Sequence, residues 1–83
     1  MDRTIANNIK RDIEQALSPY HARAKYIKPQ YGKIGYFEVS VDNYYEYADI
    51  IADALSGVMD NHSLFFDNDS DADFNLGASW DSE

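Results

Sequence analysis

No cysteine occurs in this chain, so neither a disulfide framework nor a thiolate metal site can form, and a small secreted scaffold of the stapled kind is excluded. The core must stand on apolar packing alone. Lysine and arginine are missing from Ile34 to Glu83, fifty residues that carry twelve aspartates and glutamates. All seven cations (Arg3, Lys10, Arg11, Arg23, Lys25, Lys28 and Lys33) precede that stretch, beside only Asp2, Asp12 and Glu14. The first part is therefore +4 (7 − 3) and the second −12, which sum to the net charge of −8. Nothing in a hydrophobic core calls for so uneven a distribution, and its self-repulsion opposes folding, so a partner is sought that would explain it.

Long hydrophobic runs are absent too. The opening Met-Asp-Arg-Thr lacks the apolar run of a signal peptide, and no segment approaches the roughly eighteen consecutive apolar residues of a membrane span. A cytoplasmic setting without membrane contact is the expectation. The scarcity of clustered cations argues against direct binding to nucleic acid or anionic lipid, with the positive first third able to do so only locally.

What is present suffices for one folded unit. Of the 83 residues, 45% are hydrophobic and 14% aromatic, too apolar for a disordered acidic chain. A single domain over 1–83 is expected. Ile5, Ile9, Ile13, Ala16 and Leu17 lie along one stripe of a helix from Asp2 to Leu17, which Ser18-Pro19 ends. Pro29 to Lys33 reads as a turn joining a short or edge strand to a strand from Ile34 to Val41, in which Phe37, Val39 and Val41 oppose Glu38 and Ser40. Asn43 with Glu46, or Asp42, fits the start of a second helix running to about Met59, with Tyr44, Tyr47, Ala48, Ile51, Leu55 and Val58 as its buried stripe. Gly57 falls near its last turn. Ser63 to Phe66, a polar turn, and an alternating run from Ala72 to Trp80 read as a second hairpin, with Phe74, Leu76, Ala78 and Trp80 on one face. The reading is α+β: two helices packed on an antiparallel sheet of three to four strands, in the order α-β-β-α-β-β.

Two sets of carboxylates stand out. Asp42, Glu46, Asp49 and Asp53 recur at steps of four, three and four on one face of the second helix, where like charges repel by a few tenths of a kcal/mol per pair. A helix selected for stability would alternate them with lysine. Asp67, Asp69, Asp71 and Asp73, if extended, would be spaced by roughly 6.6 Å on one face. Phosphates along one DNA strand lie roughly 6 to 7 Å apart, so either array could enter a groove built for phosphates. Tyr45, with Tyr44 and Tyr47 close by, adds contact area of the kind protein interfaces favour.

In size, acidity, lack of cysteine and mixed fold, the chain resembles phage and mobile-element inhibitors that imitate DNA, such as anti-CRISPR and anti-restriction proteins. The likeness is one of overall character and carries no named residue across. It implies a non-enzymatic inhibitor whose partner is a basic nucleic-acid-binding protein, a nuclease or a CRISPR or restriction complex. Two other readings use the same acidity: an immunity protein or antitoxin neutralising a basic nuclease, and an acidic structural or regulatory subunit.

Other chemistry finds little to build on. Asp67-x-Asp69-x-Asp71-x-Asp73 has the alternate oxygens of a calcium loop, but Ala72 stands in place of the turn glycine and Ala78 in place of the bidentate glutamate. No cofactor or metal is expected. His21 and His62 have no partner at a catalytic or metal-binding spacing, and His62 belongs near the end of the second helix. Trp80, Phe37, Phe65, Phe66 and Phe74 read as core. Tyr20, Tyr26, Tyr31 and Tyr36, if several are exposed, would mark a second contact surface or a homodimer seam.

Overall fold

A computed structural model of the chain describes residues 1–68 and 71–83. The first helix, α1, spans Arg3–Ala16, with Asp2 as its cap: the side chain accepts a hydrogen bond from the Ile5 N–H at 2.8 Å. Its inner face is Ala6, Ile9, Ile13 and the following Leu17, all buried. Ile5, expected in that stripe, is 43% exposed, because the face turned to the sheet runs one residue later, through Ala6. A short 3-10 turn, Ser18–Tyr20, follows where Pro19 stops the helix.

Strands β1 (Arg23–Ile27) and β2 (Gly35–Ser40) form the first hairpin, closed by reciprocal backbone bonds between Gln30 and Lys33. The second helix, α2, runs Tyr44–His62, three residues beyond the expected end, and is kinked at Tyr47 (φ −113°, ψ 16°). Asn43 precedes it in the left-handed conformation (φ 56°) and makes no side-chain cap; its carbonyl receives the Glu46 and Tyr47 N–H groups instead. Gly57 therefore lies inside the helix rather than at its close. Strands β3 (Phe65–Asp67) and β4 (Phe74–Ala78) form the second hairpin.

The four strands make one antiparallel sheet in the spatial order β1-β2-β4-β3, and the elements follow one another along the chain as α-β-β-α-β-β, as expected. Both helices lie on one face of it. Their inner residues, Ile9, Ile13, Ile51 and Leu55, close over Phe37, Val39, Phe74, Leu76 and Ala78 to form the core. This burial is the dominant favourable term in a chain without disulfides. Glu14 joins helix to sheet by accepting the Ala24 N–H at 3.1 Å, and His62 joins helix to helix through Asp12 at 2.8 Å.

The far end of the chain departs from the expectation. β4 stops at Ala78, and the next residues turn, so Trp80 leaves the alternating pattern and is 45% exposed. Its indole N–H reaches the carbonyls of His62 and Ser63 (3.0 and 3.2 Å), capping the end of α2. Phe65 is also outside the core, at 42% exposed. Of the four tyrosines considered for a dimer seam, Tyr20 and Tyr26 pack against the core, Tyr36 is half-buried, and only Tyr31 is fully exposed. Among the described residues no helix is long and apolar enough to cross a membrane.

Candidate functional site

An α-helix advances 100° per residue, so on α2 beyond the kink Asp49, Asp53 and Asp60 fall within about 40° of one another, opposite Ile51 and Leu55. All three are exposed, as is Glu46 just before the kink. Asp60 was missed by the sequence reading, which ended the helix too early; its step of seven from Asp53 was the available signal. Among the described residues none of these four carboxylates meets a Lys or Arg within salt-bridge distance. The ion pairs that Lys10 and Arg11 make are with Glu14 and Asp12, inside α1. The molecule's cations do not neutralise the back of α2.

Tyr45 stands at the head of this stripe, 97% exposed, its ring 6.1 Å from that of Tyr44. Tyr44 turns the other way and packs on Phe74 at 5.3 Å, which ties the start of α2 to the start of β4. Burial, then the neighbouring Asp73 carboxylate and Tyr45, raise the Tyr44 pKa above its ordinary value.

The remaining carboxylates of the expected site separate into different roles. Asp42 lies before the left-handed Asn43, off the helix, and bonds His21 Nδ1 at 2.9 Å. Asp73 accepts the Val41 N–H at 2.8 Å and donates its own N–H to Val39, closing the end of the β2–β4 pair. Asp67 is the last residue of β3, paired in register with Asn75. Asp71 is exposed, and Asp69 lies outside the described residues. The evenly spaced extended row is thus overturned: Asp67 and Asp73 belong to opposite arms of a hairpin. The hairpin does place Asp71 and Asp73 at the end of the sheet from which Asp42 and α2 depart. Among the described residues no group of three or more potential ligands could hold a metal ion.

A polar cluster around one buried carboxylate was not legible in sequence. Asp81, 4% exposed, accepts from the Tyr26 hydroxyl at 2.5 Å and from the Met1 ammonium, while its carbonyl receives the Gly35 N–H at 2.8 Å. A Cβ at position 35 would overlap the Asp81 carboxylate, so glycine is what lets the tail approach the sheet. Burial pushes the Asp81 pKa up, but the hydrogen bonds from the ammonium and from Tyr26, with the ammonium's charge, outweigh it and hold it below 3.8. Burial, reinforced by Asp81 as hydrogen-bond partner and as charge, pushes Tyr26 up to about 12. These groups lie 55 and 80 positions from Asp81, beyond the reach of any local pattern. With this geometry in view, the chain matches no protein family, no curated protein and no solved structure.

Proposed function

We propose that this protein is a non-enzymatic inhibitor that presents the back of α2 to the phosphate-binding groove of a basic nucleic-acid-binding protein, of the anti-CRISPR or anti-restriction kind. The observation that carries the reading is the stripe of Glu46, Asp49, Asp53 and Asp60: exposed, on a helix held from behind by the core, and without a basic partner among the described residues. Asp49 and Asp53 are about 6 Å apart along the axis, one phosphate step. The helix gives such charges a fixed pitch, which a flexible acidic tail would not.

Tyr45 supplies the contact that charge alone lacks, because tyrosine is enriched among the residues that anchor protein interfaces. The end of the sheet, with Asp42, Asp71 and Asp73, extends the negative surface beyond the first turn of α2. Asp67 lies on the neighbouring hairpin arm. Association of this kind is fast and salt-sensitive, since opposite fields steer the encounter.

The test is capture of a target from host lysate at low and high salt, followed by competition with duplex DNA and by the variant Glu46→Lys/Asp49→Lys/Asp53→Lys. The expected result is a nucleic-acid-binding partner that DNA displaces and that the charge-reversed protein does not hold. A partner retained equally by the reversed helix, or indifferent to DNA, overturns the reading.

A further inference from the structure

The face of the sheet turned away from the helices has an arrangement of its own, independent of the reading of α2. Its outward residues form cross-strand rows, one running Ile27, Tyr36, Gly77, Phe65 and the next Lys25, Glu38, Asn75, Asp67. Gly77 stands between two aromatic residues, and the tip of the Phe65 ring occupies the space that a Cβ at that position would fill. The ring can lie over the strand only because that residue is glycine. What remains is a groove of about 430 Å³ whose walls include Phe65, Tyr36 and Ile34, with Asn75 and Asp67 beside them and Lys33 on its lining. This volume is in the range of small-ligand sites, roughly 300 to 1,000 Å³.

The sequence scatters its cations, but the fold collects three of the seven along this side. Arg23 and Lys25 take outward positions on edge strand β1, while Lys33 lies in the connection to β2. All three are exposed, and none makes an ion pair among the described residues. Charged residues on an edge strand discourage unwanted pairing, which accounts for Arg23 and Lys25. It does not account for Lys33 beside an aromatic groove.

We propose that this groove binds a nucleotide unit, its base stacked against Phe65 and Tyr36 and its phosphate at Lys33. Two aromatic side chains favour a flat ring, and a cation on the lining favours an anion. The net charge of −8 weakens the long-range attraction, so binding is modest and salt-dependent. The unit has two sources, a free nucleotide or one residue of a single strand.

Amide chemical shifts of the folded protein, followed while a nucleoside 5′-monophosphate, the corresponding nucleoside and a short single-stranded oligonucleotide are titrated in turn, test the proposal. The monophosphate should shift Lys33, Tyr36, Phe65 and Gly77, and bind more tightly than the nucleoside. Lys33→Glu, in an exposed connection, should weaken monophosphate binding about tenfold. Phe65→Leu should remove the stacking preference. Tighter oligonucleotide binding that also shifts Arg23 and Lys25 assigns a strand; equal or weaker binding assigns the free nucleotide. No shift with any probe at millimolar concentration, shifts centred away from the groove, or undiminished binding by Lys33→Glu overturns it.

Discussion

Asp81 and Asp53 carry the same carboxylate in two regions that use it in opposite ways. At the sheet end, Asp81 is buried under the ammonium of Met1 and the hydroxyl of Tyr26, and the hydrogen bonds it accepts tie the chain's tail to the sheet and to Met1. On the back of α2, Asp53 and its neighbours are solvated and bonded to nothing basic among the described residues. A buried carboxylate with fixed donors stabilises the fold. A row of exposed ones costs it a little and leaves a surface for something else. Formal charge alone does not distinguish the two, whereas burial and partners do.

The sharpest way to break that contrast is to remove Asp81. Asp81→Ala strands the Tyr26 hydroxyl and a buried ammonium, and should cost about 3 kcal/mol in urea unfolding. A loss below about 1 kcal/mol would place Asp81 in the same class as the α2 carboxylates.

Titration examines the same cluster without altering it. The Asp81 pKa is depressed in the folded state, so its stabilisation is present above 3.8 and is lost as the pH falls through the folded value. Tyr26 is raised from 10.0 to about 12, so its contribution is present below 10 and is lost as the pH rises through that interval. Unfolding midpoints against pH should therefore fall at both extremes. In Tyr26→Phe the alkaline decline attributable to this group should vanish, and its persistence would assign that decline elsewhere.

Asp73 is an intermediate case, half-buried and, among the described residues, engaged by one backbone N–H. Asp73→Ala leaves the Val41 N–H without its acceptor and should cost about 1 to 2 kcal/mol, read as a shift in denaturation midpoint. The smallest effect belongs to the back of α2. Neutralising Glu46, Asp49, Asp53 and Asp60 together as Gln or Asn should change stability by no more than about 0.5 kcal/mol, or raise it slightly. If instead the quadruple variant unfolds, those carboxylates belong to the scaffold and the contrast collapses.

Legibility followed the range of the interaction. Ile9, Ile13, Ile51 and Leu55 declare their burial by helical spacing, and Phe37 with Val39 by strand alternation, because each signal is complete within a few neighbours. Trp80 continued the alternation of Phe74, Leu76 and Ala78 in sequence, yet leaves it in space. The turn after Ala78 carries the indole to the end of α2, a partner 17 residues or more away. The row from Asp67 to Asp73 failed for a related reason: a period of two predicts one face only while the chain remains extended. Asp60 was legible in principle, its spacing sufficient once the helix is allowed to continue to His62.

The sequence by itself determined the element types, their order, and the confinement of every cation to the first 33 residues, since periodicity and composition are properties of neighbours along the chain. The tertiary structure alone decided which carboxylates are enclosed and which stay exposed, and which cations share one edge of the sheet. Those outcomes depend on residues tens of positions apart meeting across a core, and on how much water each meeting excludes.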